Sequence, residues 1–345
     1  MDTSNIDDTI KALNKEFGDN TISTFGDKEA YELEIISTNS YALDHVLGCN
    51  GLPRGRIIEL YGAESSGKST LAMFLAAQVQ KNGGKVFWLD AECSFSRKYA
   101  ENVGVDTTNL ILAQPTTGEE GLKMVRKMVG TNEIDLVVVD SVASLVPARE
   151  LAGELTDAEM AQQARMMSKG LRMLTGTISK TNTVVIFINQ TREKVGVYFG
   201  KKDTTPGGKA LKFYSSLRLQ VRRGTSIKNS TDDVIGNVMH ISATKNKVGL
   251  PFRSCELELY YERGLDLTWD AISWALKYNI VTKTGNTYIY TATDEKMGVG
   301  EKQTKDFTDK HPEVLTKIKE EINNYGKTDK KKDDSKKKPK LQEKT

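Results

Sequence analysis

Residues 62–69 read GAESSGKS, a complete match to the phosphate-cradling pattern G-x-x-x-x-G-K-[ST], and the flanks are those such a loop requires. Arg56 to Tyr61 (RIIELY) reads as a buried strand before it, and Thr70 to Gln80 (TLAMFLAAQVQ) as a helix with an apolar face after it. The glycines let the backbone curl until its N–H groups converge on phosphate oxygens, and the new helix adds the positive end of its dipole. Gly62, Ala63, Glu64, Ser65, Ser66, Gly67, Lys68, Ser69 and Thr70 are therefore the candidate nucleotide contacts. Lys68 would reach the β- and γ-phosphates, and the Ser69 hydroxyl Mg²⁺. The alternative is a Gly/Ser-rich turn that matches by chance. Many nucleoside triphosphatases share this loop, so it does not name the reaction.

Two acidic strand ends extend the site. Lys85 to Leu89 (KVFWL) reads as a strand ending in Asp90-Ala91-Glu92, and Ile134 to Val139 (IDLVVV) as another ending in Asp140-Ser141. In an open parallel sheet ligands gather outside the carboxyl ends of the strands, so these side chains are expected to face the phosphate loop. Asp140 suits coordination of Mg²⁺ through water. Glu92 suits polarising an attacking water, a role for a carboxylate near the γ-phosphate and free of the metal. Either also reads as a solvated strand end.

A fourth strand, Val184 to Asn189 (VVIFIN), ends in Gln190, a candidate hydrogen-bonding sensor of the γ-phosphate. Residues 191–208 (TREKVGVYFGKKDTTPGG) then run without helical periodicity, with Arg192, Lys194, Lys201 and Lys202 interleaved with Tyr198 and Phe199. Long loops inside compact domains are usually functional, and cations mixed with aromatic rings suit single-stranded nucleic acid, whose phosphates want charge and bases a π surface. A surface loop with a solvated charge run is the alternative.

The order ISTNSYALDHVLGCNGLPRGRIIELYGAESSGKST, DAE, LVVVDSVASLVP, ARMMSKGLR, IFINQTREKVGVYFG, PGGKALKFY and KNKVGLPF resembles the bacterial RecA family of DNA strand-exchange recombinases, from about Ile6 to Gly326. The resemblance implies an α/β fold: a RecA-like P-loop ATPase core with a mainly parallel central sheet flanked by helices, an N-terminal helix arm and a small α+β C-terminal domain. It implies ATP and Mg²⁺ as cofactors, a helical homopolymer on single-stranded DNA, pairing with homologous double-stranded DNA, and stimulated self-cleavage of a LexA-type repressor if the host has one.

Position by position, the resemblance makes Lys68 and Ser69 the phosphate and Mg²⁺ residues, Glu92 the general base, Asp140 the acidic strand end and Gln190 the γ-phosphate sensor coupled to the second DNA loop. Tyr99 would stack on adenine; from the residues alone it reads equally as core. The first DNA loop would be residues 154–160 (ELTDAEM), with Met160 as an apolar wedge between bases or as simple packing. Arg165 and Arg172 would contact DNA phosphate, though alone they read as solvated helix cations. Arg192, Lys194, Phe199, Gly207 and Gly208 belong to the second loop. Lys212 and Phe213 match the subunit interface, and Lys245 and Lys247 match cations that reach the neighbour's ATP. Several positions depart from the pattern: Ala63 for proline, Ser69 for threonine, Ser96 for an aspartate near the adenine amino group, Glu301 near a usually basic position, and an end that is not acidic.

Composition bounds the rest. At 345 residues there is room for a large core and a smaller appendage. Three scattered cysteines argue for a reducing compartment, three scattered histidines give no metal cluster, and the absence of a signal peptide or long apolar run leaves a soluble cytoplasmic protein as the expectation. The formal net charge is +3, yet residues 327–345 carry nine lysines against four acids, +5, leaving −2 for the rest. Any DNA path is therefore local. Four segments follow: an arm over 1–30 with a short amphipathic helix, Asp7 to Phe17, that docks on a neighbouring subunit or on its own core; an ATPase core over 31–265; a small domain over 266–326, with a helix at Trp269 to Tyr278 and a turn and strand at Gly285 to Tyr290; and a disordered lysine-rich tail over 327–345. A ring helicase motor and a non-catalytic DNA-coating scaffold are the rival classes.

Overall fold

The fully buried strands alternate perfectly between two apolar layers. Ile58 and Leu60, Val86 and Trp88, Leu136 and Val138, and Val184 and Ile186 enter one core; Ile57, Phe87 and Leu89, Val137 and Val139, and Val185 and Phe187 enter the other. A period of two with both faces covered defines the centre of an α/β sheet, and the computed structural model has that sheet. It describes residues 4–18, 21–23, 33–153, 161–193 and 203–336.

Nine strands form the sheet in the spatial order Gly264–Leu265, Ser254–Tyr260, Val234–Asn246, Leu217–Lys228, Ile57–Gly62, Val184–Gln190, Leu136–Asp140, Val86–Asp90, Ile111–Ala113. The run from Leu217–Lys228 to Ile111–Ala113 is parallel throughout, and the remaining three strands add on antiparallel. The sequence-predicted strands lie where expected, within two residues. The helix after the phosphate loop spans Lys68–Lys81 and differs from expectation: eleven of its fourteen residues are buried, from Lys68 to Val79. A helix apolar all round belongs inside a domain, which is how this one sits in the larger core. Helices Gly118–Gly130 and Gln162–Ile178 cover the opposite face with conventional amphipathic stripes.

The N-terminal unit contains the helix Ser4–Phe17, three residues longer at its start than the sequence suggests, with Ile6 and Phe17 exposed. The C-terminal domain opens at Asp266, whose carboxylate caps the helix Leu267–Lys277 through the Trp269 N–H at 2.9 Å. A three-stranded antiparallel sheet (Val281–Thr284, Thr287–Tyr290, Glu295–Val299) and the helices Gly300–Lys310 and Pro312–Lys336 complete it around Tyr288, Tyr290, Met297 and Ile318. The last helix continues past Gly326 to Lys336. Lysine is a good helix former, and a helix already docked at Val314, Ile318 and Ile322 needs no new nucleus to extend. Residues 337–345 lie outside the described ones.

Two charged fasteners join this domain to the main sheet. Asp270 accepts from the Tyr41 and Ala42 N–H groups at 2.7 and 3.1 Å, capping the helix Tyr41–Leu47. Lys305 meets Glu258, Asp266 and Glu301 at 2.7, 3.0 and 2.5 Å, which commits Glu301 to an internal ion pair. Burial pushes the Asp270 carboxyl up from 3.8 to about 6. Its folded pKa exceeds the unfolded one, so the stability it contributes is complete below about pH 4 and is lost as pH rises through about 6. Denaturant melts of wild type and Asp270→Asn should therefore diverge between about pH 4 and 7, wild type losing up to about 3 kcal/mol relative to the variant. Parallel curves would show that Asp270 does not drive the pH dependence.

Candidate functional site

Register brings the predicted residues to one end of the sheet. Gly62 pairs with Gln190 and Asp90 with Asp140, so the glycine-rich loop, both acidic tips and Gln190 all leave the carboxyl edge together. The strand ending in Gln190 lies between the phosphate-loop strand and the one ending in Asp140. Gly62 is required by crowding: a Cβ there would stand 2.1 Å from the Val221 carbonyl oxygen. Gly67 enters the helix from the left-handed region at φ +92.

The charged groups of the loop are held tightly. Lys68 donates to the Ala63 carbonyl at 2.6 Å and approaches Ser66 Oγ at 3.5 Å. Burial lowers its pKa, opposed by the charges of Asp140, Glu92 and Glu64. Burial likewise, helped by the charges of Glu92 and Asp90, pushes the Asp140 carboxyl up to about 6, against a hydrogen bond from Ser69 and the charge of Lys68, which favour the ionised form. Ser69 and Asp140 thus offer adjacent hard oxygen donors, the ligand chemistry of Mg²⁺. The Asp140–Ser141 peptide bond is cis.

The two carboxylates at the neighbouring tip have different fates. Asp90 is buried and consumed internally, accepting from the Ser94 and Phe95 N–H groups at 3.2 and 3.1 Å and from Gln114 at 2.9 Å. Glu92 lies two residues further on, where Ser141 Oγ donates to its Oε1 at 2.5 Å and Gln190 Nε2 at 3.4 Å. The structure therefore unites Glu92 and Gln190, which the sequence could only place on separate strand ends. Tyr99 is half-buried, packs on the larger core and shares a 2.9 Å hydrogen bond with Thr70 Oγ1, so it is partly a core residue and partly a wall beside the loop. Ser96 caps the helix Arg97–Val103 by accepting from the Tyr99 N–H.

The chain passes from this edge directly into the second predicted DNA segment. The Thr191 N–H donates to the Gly62 carbonyl at 2.9 Å, and the short strands Arg192–Glu193 and Asp203–Thr204 pair antiparallel at its root. Lys194 and Phe199 lie outside the described residues, as do all of residues 154–160 with Met160. Arg165 and Arg172 are exposed on the helix Gln162–Ile178, on the face opposite Met166, Met167, Leu171 and Leu174. Gly207 and Gly208 pack against the start of that helix.

Lys245 and Lys247 are not brought to the phosphate loop. Lys245 pairs with Arg218, which is level with Glu59, about 10 Å below Gly62 at the usual strand rise, and Lys247 lies beyond the strand end. Lys245 Nζ instead holds the carbonyls of Lys212 and Phe213 at 2.6 and 3.1 Å, next to a Phe213 side chain that is 69 % exposed. The candidate interface residues thus form one patch at the amino edge of the sheet.

Sequence reasoning missed a buried polar group beneath the site. Glu59, fully buried in the phosphate-loop strand, binds Arg218 and accepts from Asn189 Nδ2 at 3.2 Å, while Asn189 also reaches the Pro206 carbonyl. A lone acid in the apolar run RIIELY was the available signal, since a buried charge demands a partner. Among the described residues no helix is long and apolar enough to cross a membrane.

Comparison with known proteins agrees with this geometry. The RecA N-terminal domain model matches residues 4–266 and the RecA C-terminal domain model residues 270–326. The chain is 46 % identical to protein RecA of Lactiplantibacillus plantarum over 322 residues, covering 93 % of this chain and 84 % of that one. It is 47 % identical to protein RecA of Lactobacillus delbrueckii subsp. bulgaricus over 313 residues (91 % and 94 %), and 46 % identical to protein RecA of Clostridium tetani over 310 residues (90 % and 88 %). With both domains matched in order and nearly the full length aligned, the chain belongs to the RecA family.

Proposed function

We propose that this chain is an ATP-dependent DNA recombinase that polymerises on single-stranded DNA, pairs it with homologous duplex and exchanges strands, hydrolysing ATP in response to DNA. The observation that carries the reading is the junction at the sheet edge. Gln190 touches Glu92 and is followed at once by the cationic, aromatic 191–208 segment, so one residue borders both a phosphate site and a DNA-contacting segment.

The roles follow from chemistry. Residues 62–70 cradle the phosphates, Lys68 balances their charge and Tyr99 borders the base. Ser69 would hold Mg²⁺ directly and Asp140 through water; when bound, the ion would supply neutralisation of phosphate charge. Glu92 accepts a proton from the attacking water. Gln190 hydrogen-bonds the γ-phosphate and so distinguishes ATP from ADP, which makes the DNA-gripping state depend on the nucleotide and lets hydrolysis release it. Lys245 and Lys247 approach the ATP of a neighbouring subunit. Met160, Arg165, Arg172, Arg192, Lys194, Phe199, Gly207 and Gly208 form the strand-holding surface. The exposed Ile6 and Phe17 of the N-terminal helix suit docking on an adjacent subunit. The same filament would stimulate self-cleavage of a LexA-type repressor, acting in the cytoplasm.

A strand-exchange assay with homologous and heterologous duplexes tests the whole reading: joint molecules are expected with the homologous duplex alone, and equal yields with both would exclude recombination. A second measurement tests the 191–208 segment. Arg192→Ala with Lys194→Ala should weaken single-strand binding for every sequence and flatten log K against log[salt] by about 0.7 per lost phosphate contact. Superimposable salt series would remove the segment from the DNA path.

A further inference from the structure

One side chain outside the nucleotide site gathers the elements around it. Ser141, whose hydroxyl anchors Glu92 Oε1, starts the single turn Val142–Ser144, and the Ser144 N–H returns to the Ser141 carbonyl at 3.2 Å. The carbonyls of that turn converge on Gln163: its Nε2 lies 2.9 Å from Val142 O, 3.2 Å from Ala143 O and 3.2 Å from Leu145 O. Its Oε1 accepts the Gly207 N–H at 3.2 Å. A primary amide has two N–H donors and an oxygen with two lone pairs, so this half-buried side chain spends both donors and one acceptor site on backbone groups of two other segments.

Position gives these contacts a purpose. Gln163 is the second residue of the helix that follows segment 154–160, and Gly207 closes segment 191–208. The packing there leaves no slack: a Cβ on Gly207 would stand 2.9 Å from Val142 Cγ1, and one on Gly208 2.9 Å from Ala164 Cβ. The roots of both segments and the turn carrying Ser141 are therefore packed and hydrogen-bonded into one unit.

We infer that Gln163 is a positioning residue through which both DNA-contacting segments set the orientation of Glu92. A shift at either root changes the pull of Gln163 on the turn, the turn tilts Ser141, and Ser141 turns the carboxylate whose Oε1 it holds. Gln190 reaches the same oxygen from the opposite end of the 191–208 segment. Glu92 is thus steered from both ends of that segment, and a hydrogen bond weakens steeply once distance or angle departs from the optimum. The inference rests on the proposed DNA role of the two segments.

Two substitutions test it. Gln163→Met keeps the length and apolar stem but loses donation and acceptance, and Gln163→Glu keeps the acceptor for Gly207 while losing the donors to the turn. The readout is the ratio of kcat with saturating oligo(dT) to kcat without it, alongside KM for ATP and oligo(dT) affinity by fluorescence anisotropy. Both variants should lower the ratio about 10-fold, within the 5- to 150-fold range of typical coupling, with KM and DNA affinity within about twofold of wild type. Because the two residues act in series, Ser141→Ala combined with Gln163→Met should be no worse than the more impaired single variant. A retained ratio in both variants, an additive loss in the double variant, or a parallel loss of DNA affinity would each overturn the inference. A wild-type chain that binds oligo(dT) without a rate increase would instead overturn the proposed function on which it rests.

Discussion

Glu92→Gln is expected to keep ATP binding and filament assembly while cutting turnover by about 100- to 10,000-fold, the usual worth of a positioned general base. Amide and carboxylate are nearly equal in size, so the loop geometry is preserved and proton affinity is what changes. The structure sharpens this expectation. Oε1 of Glu92 already accepts from Ser141 and Gln190, which fixes the group in place, so in the proposed role Oε2 would be the oxygen that takes the proton. In the variant the amide oxygen can take over the Oε1 position, which directs the NH₂ group at the water and makes it a donor where an acceptor is needed. Steady-state phosphate release near the wild-type rate would remove Glu92 from the base role. Lys68→Ala should fail earlier, at nucleotide retention, because it removes the cation that borders the phosphates.

Lys245→Ala with Lys247→Ala is expected to bind ATP as a monomer yet lose DNA-stimulated hydrolysis by about 1,000-fold or more, the scale associated with a cation supplied in trans. Lys245 is level with Glu59, toward the amino edge of the sheet, while the phosphate loop leaves the carboxyl edge, an arrangement that suits the nucleotide of a neighbouring chain better than its own. Lys245 must also release the Lys212 and Phe213 carbonyls before it can reach outward, and burial has already lowered its pKa. Mixing this variant with Glu92→Gln decides the matter, because some mixed interfaces pair an intact base with intact lysines. Partial recovery of hydrolysis is the expected result, and none at any ratio would place the lysines in a role within one chain.

The parts of this molecule that could be read beforehand are those whose cause is local. A phosphate loop needs eight consecutive residues and two flanking elements, and buried strands announce themselves by apolar runs, so Lys68, Ser69, Glu92, Asp140 and Gln190 all lie at the expected edge. What escaped depends on contacts between distant positions. Asp270 caps a helix 229 residues earlier in the chain, and Lys305 collects carboxylates from two segments, with no periodicity or spacing to betray either. Gln163 looks like any polar residue at a helix start until the turn after Asp140 is laid beside it. The all-round burial of the helix Lys68–Lys81 was partly legible, since an unbroken apolar run should have suggested a core helix, not an amphipathic one. The extension of the last helix past Gly326 is not legible in the lysine-rich tail, because composition reports what can be buried and is silent on what an existing helix can extend.

If Lys245 and Lys247 meet the phosphate loop of a neighbour, their separation from Gly62 across the sheet would also give a polymer of this chain a direction. A contact that joins unlike edges is not a two-fold pair; it propagates head to tail and, where the rotation does not close a ring, leaves two chemically distinct termini. With lysines acting on a neighbour's nucleotide, one terminus would carry a phosphate loop that no lysine reaches, and the other would carry lysines with no nucleotide to meet. The terminal subunit with the uncovered loop would hydrolyse its ATP most slowly and keep its grip longest, while every subunit behind it turns over at the interior rate. Loss and gain of subunits would then differ between the termini, so that a chemical asymmetry within one sheet becomes a clock that runs along the DNA.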